Sequence, residues 1–235
     1  MNNDTSSKAL LSTSRITKHF GSVVALAGVS VDIAAGETVA IMGPSGSGKS
    51  TLLHCLSGVL APDSGVVDFD GTHISALKDA DRSHIRLRSF GFVFQDGQLI
   101  PELPARENVA LPLMLTGARR GKALAAADEW LDRLGIAQLR SRRPGDMSGG
   151  QAQRVAIARA LIGEPKVVFA DEPSGALDQA TGHEVMQVLT ATIRMSGASL
   201  VMVTHDREVA KWCSRLVEIR DGIVHADRVL EGAHR

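Results

Sequence analysis

The stretch Gly43-Pro44-Ser45-Gly46-Ser47-Gly48-Lys49-Ser50 lies between an apolar run, Thr38 to Met42, and a helical pattern, Lys49 to Leu60. It fits G-x-x-x-x-G-K-[ST], and the order strand, loop, helix is the context that this phosphate-binding motif requires. Glycines let successive backbone N–H groups converge on one concavity, where the helix N-terminus adds positive potential. The stretch therefore predicts a phosphate-binding loop at the end of a buried strand.

Three side chains at the end of this loop have predicted roles. Lys49 is expected to meet the β and γ phosphates, and the Ser50 hydroxyl is expected to bind Mg²⁺. Thr51 lies next to them at the start of the helix. A glycine-rich turn without a ligand is the alternative, and the flanking strand and helix argue against it.

Two adjacent carboxylates, Asp171 and Glu172, follow the apolar run Val167 to Ala170. Open α/β sheets bind ligands at the carboxyl ends of their strands, and successive strand residues point opposite ways. We therefore assign Asp171 to Mg²⁺ and Glu172 to the attacking water as a general base. In isolation such a pair would be interpreted as a solvated strand end, but the phosphate loop upstream favours the chemical role.

A histidine follows a third apolar run, Leu200 to Thr204, at the same predicted edge of the sheet. His205 is therefore expected to contact the γ-phosphate, although a lone histidine is more often structural. The alternation of these strands with helical patterns predicts an α/β fold with parallel strands and crossover helices. Short strand and turn signals at Val23 to Ile33 and Gly65 to Ile74 predict an antiparallel layer beside the sheet.

Prolines at Pro101, Pro104 and Pro112 interrupt this alternation and are expected to break any long helix. We predict a single domain, 1–235, in which a helical subdomain at about 96–147 is inserted into a core of about 8–95 and 148–230. Residues 1–7 are expected to be disordered.

The composition limits the classes of function. The 235 residues carry 26 Lys plus Arg and 26 Asp plus Glu, so the net charge gives no case for nucleic acid as a partner. The apolar runs are shorter than the roughly 18 residues that span a bilayer, and the N-terminus lacks the regions of a signal peptide. We therefore expect a cytosolic chain with two buried thiols, Cys55 and Cys213.

A second small-residue turn, Ser148-Gly149-Gly150-Gln151, precedes another helical pattern. Its free N–H groups and helix N-terminus suit a second phosphate contact. One nucleotide does not easily fill both turns, so a twofold dimer in which each chain's second turn closes over the other chain's nucleotide is one solution. A simple helix cap is the other, and the motif alone leaves both open.

With these residues in place, the chain resembles the ATP-binding cassette (ABC) ATPases over essentially its whole length. The resemblance adds three positions: Gln95 matches the Q-loop, Asp178 in Ser174-Gly-Ala-Leu-Asp178 matches the D-loop, and Phe20, 23 residues before Gly43, matches the adenine-stacking aromatic. In this family Gln95 would sense Mg²⁺ and the γ-phosphate, and the segment after it would touch a membrane partner. Asp178 and Ser148 to Gln151 would belong to the nucleotide-binding surface.

The resemblance implies a P-loop NTPase (RecA-like) core and a homodimer of cassettes that holds two Mg-ATP. It also implies a separate integral membrane permease and a peripheral position on the cytoplasmic side of the cell membrane. The stretches Phe90-Gly-Phe-Val-Phe-Gln95 and Glu107-Asn-Val-Ala-Leu-Pro112 resemble the macrolide-exporter and lipoprotein-release branch. Efflux or extraction of a lipoprotein, peptide, macrolide or haem is thus expected. A regulatory ATPase without transport is one alternative, and a soluble cassette acting on DNA or ribosomes, which zero net charge disfavours, is another.

Overall fold

A computed structural model describes residues 9–230, so the expectation for residues 1–7 lies outside the described part. Within that part there are ten strands: β1 Leu11–Phe20, β2 Val23–Ile33, β3 Thr38–Met42, β4 Ser64–Phe69, β5 Thr72–His73, β6 Phe90–Phe94, β7 Val167–Asp171, β8 Ser199–Val203, β9 Arg215–Arg220 and β10 Ile223–Val229. The α-helices are α1 Lys49–Leu56, α2 Asp79–Ser89, α3 Ala105–Leu115, α4 Arg120–Arg133, α5 Gly149–Leu161, α6 Gln179–Ser196 and α7 Arg207–Ala210.

Six strands form the central sheet in the order β10-β9-β3-β8-β7-β6. All neighbouring pairs except β10 and β9 are parallel, which confirms the prediction of parallel strands for β3, β7 and β8. Strands β3, β7 and β8 lie next to one another, so the loops that follow them emerge at one edge of the sheet. This brings the phosphate loop, the carboxylate pair and His205 to the same edge.

The two faces of the central sheet belong to two separate apolar clusters. In β3, Val39 and Ile41 face the cluster that holds α1 and the antiparallel strands, whereas Ala40 and Met42 face the cluster that holds α3 to α6. Burial of both faces explains why these strands are continuous apolar runs. Each functional loop is therefore anchored by a strand with no solvent-exposed face.

The predicted antiparallel layer is a four-stranded sheet in the order β2-β1-β4-β5. Phe69 of β4 contacts Phe90 of β6 edge to face at a centroid distance of 4.7 Å, and Phe90 contacts Phe169 of β7 at 5.1 Å. These aromatic pairs join the antiparallel layer to the central sheet.

The structure corrects three local predictions. Helix α1 ends at Leu56 rather than Leu60, because Gly58 adopts a left-handed conformation with φ of 67°. Pro112 lies inside α3 instead of breaking it, and the helix ends three residues later. Strand β1 was not predicted, because a bulge near Arg15 moves burial from Thr13 to Ile16 and hides the two-residue period.

The region 96–147 contains α3, α4 and two 3₁₀ turns, Ala137–Leu139 and Pro144–Asp146. Buried residues of α3 and α4 belong to the same apolar cluster as α5. Across residues 9–230, no helix combines the length and the apolar composition needed to cross a membrane.

Cys55 and Cys213 are buried free thiols, as predicted, and burial raises the pKa of each, to about 11 and about 12 respectively.

Candidate active site

The phosphate loop joins β3 to α1, and its shape depends on glycine. Gly43, Gly46 and Gly48 have φ of 155°, 78° and 100°. A Cβ atom on Gly43 would lie 2.0 Å from the Ile219 carbonyl oxygen, and one on Gly48 would lie 2.2 Å from the Ala25 carbonyl oxygen. Only glycine therefore lets the loop pack this closely against β9 and β2.

Two polar features of this loop fit the phosphates of a nucleotide. Helix α1 has no side-chain cap at its N-terminus, so its first N–H groups are available for an anion. The Ser47 hydroxyl is buried and has no hydrogen-bond partner within residues 9–230. The Lys49 ammonium donates to the Pro44 carbonyl oxygen at 2.9 Å, which places its charge over the loop.

Asp171, at the end of β7, lies beside the start of α1. The Ser50 hydroxyl lies near its carboxylate. Burial is the main influence and raises the pKa of Asp171, while nearby His54, Ser50 and Lys49 oppose the rise. A hydroxyl and a carboxylate are the oxygen ligands that Mg²⁺ takes when phosphates and water complete its shell. Residues 9–230 contain no cluster of three or more acidic, His or Cys side chains that could hold a metal alone.

Glu172 follows Asp171 and is held more tightly than a surface acid. Its φ of 48° is left-handed, and its N–H donates to the Val203 carbonyl oxygen at 3.0 Å. Its carboxylate Oε1 accepts the His205 backbone N–H at 3.0 Å and lies 2.7 Å from His205 Nδ1. The Glu172 side chain is 19% exposed, whereas that of His205 is 71% exposed. The histidine thus contacts the carboxylate, and its expected contact with a γ-phosphate stays a prediction.

Gln95 comes directly after β6, whose last residue, Phe94, pairs with Asp171 of β7. This register brings Gln95 beside the carboxylate loop. A Cβ atom on Gly175 would lie 3.2 Å from Gln95 Nε2 and 3.4 Å from Glu172 Cβ. The structure thus brings Gln95, Glu172 and the residues after it into one cluster.

The second glycine motif forms the N-terminus of α5. Ser148 Oγ accepts the Gln151 N–H at 3.3 Å, and Gln151 Oε1 accepts the Ser148 N–H at 3.0 Å, which is a capping box. The cap interpretation is therefore correct locally. It leaves the Ser148 hydroxyl proton and the glycine N–H groups available for an anion, so it does not decide between the two alternatives.

The Ser148 turn and the phosphate loop of one chain line two separate grooves. A groove of about 290 Å³ at the turn is lined by Ser148, Gln151 and residues of α6, whereas a groove of about 380 Å³ at the phosphate loop is lined by Gly43 to Ser45, His205 and residues of β9. The two grooves share no lining residue.

Asp178 caps α6, and its Oδ1 accepts the Ala180 and Thr181 N–H groups at 3.1 Å. Hydrogen bonds from Thr181 lower the pKa of Asp178.

Phe20 is half exposed at the end of β1, and Lys18 Nζ lies 5.9 Å from the centroid of its ring. An exposed flat ring at the end of a strand can stack on a planar base.

If Phe20 stacks the adenine, Phe20→Ala will raise the KM for ATP more than it lowers kcat, because stacking is present in both ground and transition states. Steady-state kinetics measure this directly. An unchanged KM would assign stacking to another residue.

An ion cluster anchors the strand that carries Phe20. Asp63 accepts from Lys18 Nζ at 2.8 Å and from the His19 backbone N–H at 2.6 Å. The Lys18 hydrogen bond first, then those of His19, lower the pKa of Asp63 from its ordinary value of 3.8 to about 2.

We expect Asp63→Asn to reduce stability near neutral pH. A depressed carboxyl pKa contributes stability that is complete above the unfolded pKa and is lost as pH falls. The difference from the original chain will therefore shrink between about pH 4 and pH 2, as urea unfolding at several pH values can measure. A difference that does not change with pH would contradict this assignment.

Two residues of α5 that organise the site, Gln153 and Arg159, were not predicted from the sequence. Gln153 is 2% exposed and its Nε2 donates to the carbonyl oxygens of Phe94 and Pro173, each at 2.8 Å. Arg159 donates to the carbonyl oxygens of Gly97 and Gln98, each at 2.7 Å, and burial lowers its pKa. Both act on backbone groups from distant segments, so no local sequence signal marks them.

The fold and this edge of the sheet define a P-loop nucleotide hydrolase. The ABC transporter family model matches residues 26–175, and the chain belongs to that family as an ATP-binding subunit with ATPase activity. The lipoprotein-releasing system ATP-binding protein LolD of Geobacter metallireducens is 45% identical over 223 residues, which are 93% of this chain and 99% of that protein.

Two further comparisons extend this result. The macrolide export ATP-binding/permease protein MacB of Bradyrhizobium diazoefficiens is 46% identical over 95% of this chain, which spans 35% of that longer protein. A solved dimeric structure of the ATP-binding cassette MJ0796 in a post-hydrolysis state, bound to ADP and Pi, superposes with a TM-score of 0.86 at 39% identity, covering 94% of this chain and 99% of that one. The predicted family and fold class are confirmed.

Proposed function

We propose that two copies of this chain bind two Mg-ATP, each between the phosphate loop of one chain and Ser148 to Gln151 of the other, and drive a separate membrane permease. The observation that carries the proposal is that the two anion-binding turns of one chain line separate grooves, which have no lining residue in common. Each nucleotide site is then complete only in the dimer. The dimeric cassette MJ0796, similar in fold and sequence, supports this arrangement.

In the proposed site, residues of this chain bind the phosphates, orient the attacking water and accept its proton. The loop N–H groups and Lys49 neutralise the phosphates, and Ser50, Asp171 and Gln95 would hold Mg²⁺, which supplies further charge neutralisation when bound. Glu172 orients the attacking water and accepts its proton. His205, bonded to that carboxylate, fixes its position and contacts the γ-phosphate.

A groove of about 500 Å³ between α2, β6, α3 and α5 is the proposed permease contact. Its lining is largely apolar and includes Leu87, Phe92, Leu111 and Pro112, with Arg86 and Arg159 among the polar members. Arg159 connects this groove to the segment that follows Gln95, through Gly97 and Gln98. An apolar segment of a membrane protein therefore has a direct contact with residues near the nucleotide. The chain would be peripheral at the cytoplasmic side of the membrane.

The cargo class follows from the relatives. The names of these relatives describe lipoprotein release, macrolide export and, for SyfD of Pseudomonas syringae, probable syringafactin export. We propose efflux or extraction of a hydrophobic or amphipathic molecule of this kind.

The test is to isolate a tagged Glu172→Gln chain from membranes in ATP and Mg²⁺ and to sequence the integral protein that accompanies it. A permease with a cargo that accumulates when it is deleted supports the transporter. A membrane protein whose loss changes cell physiology without accumulated cargo would instead support a regulatory ATPase. ATP-dependent dimers with no membrane protein would contradict the proposal.

Leu111→Glu provides a specific prediction about the groove. A carboxylate there will oppose an apolar partner, so the permease will no longer accompany the chain, while ATP-dependent dimers of the isolated chain will persist. Met195→Glu is the matched control, since Met195 is 87% exposed on α6, away from the groove. Equal capture of the permease by both variants would place the contact elsewhere.

A further inference from the structure

Gln153 makes an unusual pair of contacts in this fold. It lies in α5, four residues after Gly149, and is 2% exposed. One amide nitrogen, Nε2, donates to two carbonyl oxygens at 2.8 Å each, those of Phe94 and Pro173. Both protons of the amide are thereby used, on two chain segments that are far apart in sequence.

The two acceptors are immediate neighbours of the catalytic candidates. Phe94 is the last residue of β6 and precedes Gln95, and Pro173 follows Glu172. Gln153 therefore fixes the distance between these two segments and α5. Because buried carbonyl groups need partners, both segments are held in this position as long as the amide is present.

The Glu172 backbone needs such support. A non-glycine residue with φ of 48° is in a sparsely populated conformation, which persists only where the surrounding structure holds it. On one side the Glu172 N–H donates to Val203, and within the loop its carbonyl accepts the Gly175 N–H at 3.0 Å. The Gln153 bond to Pro173 restrains the same loop from α5.

We propose that Gln153 is a positioning residue for ATP hydrolysis, holding the Glu172 loop in register with the segment that carries Gln95. This rests on the proposed role of Glu172. A displacement of about 1 Å in a reacting group lowers rate by about 100-fold, so the amide affects turnover through the carboxylate that it places. Among residues 9–230, Gln153 makes no hydrogen bond to the phosphate loop, so we expect the affinity for ATP measured without Mg²⁺ to change little when the amide is removed.

Gln153→Met tests this, because it keeps side-chain volume and removes both donors. We expect kcat to fall by about 10- to 100-fold, with the Kd for ATP unchanged within about twofold. Hydrogen exchange will be faster in the peptide that contains Glu172 to Gly175. Gln153→Glu, which sets a carboxylate oxygen against one of the carbonyls, will have an effect on kcat at least as large.

Thr190→Val is the control for lost stability. Thr190 is buried in α6 and donates to the Met186 carbonyl oxygen of its own helix at 2.8 Å, so the variant loses a buried donor away from the site. It should lower the thermal midpoint with little change in kcat. All rates are measured below the midpoint of the least stable variant.

The outcomes separate this proposal from the function on which it rests. Full turnover in folded Gln153→Met, or an equal loss of kcat and ATP binding, would overturn the positioning role. If Gln153→Met fails to fold, Gln153→Glu and the exchange of the Glu172 peptide decide in the same way. Retained turnover in Glu172→Gln would instead overturn the assignment of the base, whatever Gln153 does.

Discussion

Glu172→Gln is expected nearly to abolish ATP turnover and to leave ATP binding intact. The amide has the shape of the carboxylate and its oxygen can still accept from His205, so the loop should keep its geometry. It cannot accept a proton from water at neutral pH. A positioned general base typically contributes about 10²- to 10⁴-fold, and kcat should fall by that amount. Phosphate release and equilibrium ATP binding measure the two quantities separately.

Binding and dimer closure should persist in this variant, because neither needs the proton transfer. Glu129→Gln is a matched control: the Glu129 side chain is 71% exposed in α4, and within residues 9–230 its one ion pair is with Arg133, at 4.0 Å. That change should leave kcat unaltered. Substantial turnover in Glu172→Gln would contradict the assignment of the base.

Gly48→Ala is expected to have the second largest effect, on both ATP affinity and stability. Gly48 caps α1 at φ of 100°, and its added Cβ would lie 2.2 Å from the Ala25 carbonyl oxygen and 3.2 Å from Leu26 Cδ2. The backbone conformation costs about 1–2 kcal/mol for alanine and the overpacking about 1–3 kcal/mol. Relief of the clash must move the loop, so ATP affinity should fall by at least about tenfold.

Gly117→Ala separates the backbone effect from the clash. Gly117 has φ of 94°, close to that of Gly48, but nothing lies within 4 Å of its added Cβ. Thermal unfolding should show the smaller, conformational part of the loss alone, and ATP titration should show no change. Equal losses of stability in the two variants would mean that the close approach to Ala25 is unimportant.

The central part of the fold was predictable because burial leaves a strong signal there. Strands β3, β7 and β8 are buried on both faces and are continuous apolar runs, so both their existence and the edge at which Ser50, Asp171 and His205 meet followed from the sequence. The motifs that follow these strands then predicted which side chains bind phosphate and Mg²⁺ and which one acts as the base. Strand β1 was not predicted, since its bulge disrupts the alternation on which such a prediction depends.

The contacts that organise the site were less predictable, because they join distant segments. Gln153 and Arg159 lie in a helix whose pattern alone predicts only apolar packing, and their partners are backbone carbonyls of β6, the following turn and the Glu172 loop. The contact of His205 with Glu172 also depends on the tertiary structure. The sequence predicted that Glu172 and His205 lie at one edge of the sheet. It did not predict that the imidazole contacts the carboxylate.

The Ser148 turn shows how one motif can have two roles. The capping box explains its serine and glutamine by helix stability alone, as the simpler interpretation held. The same geometry aims the N-terminus of α5 at a surface that shares no lining residue with the phosphate loop. A structural role within one chain and a nucleotide role toward a second chain are therefore compatible.

Mixing two inactive variants tests the central claim that each ATP site is shared between chains. Lys49→Ala impairs the phosphate loop and keeps the Ser148 turn, whereas Ser148→Arg does the reverse. In a mixed dimer one of the two composite sites is intact, so an equal mixture should recover up to about a quarter of the original ATPase rate although neither variant is active alone. No recovery in a mixture shown to form mixed dimers would contradict the shared site.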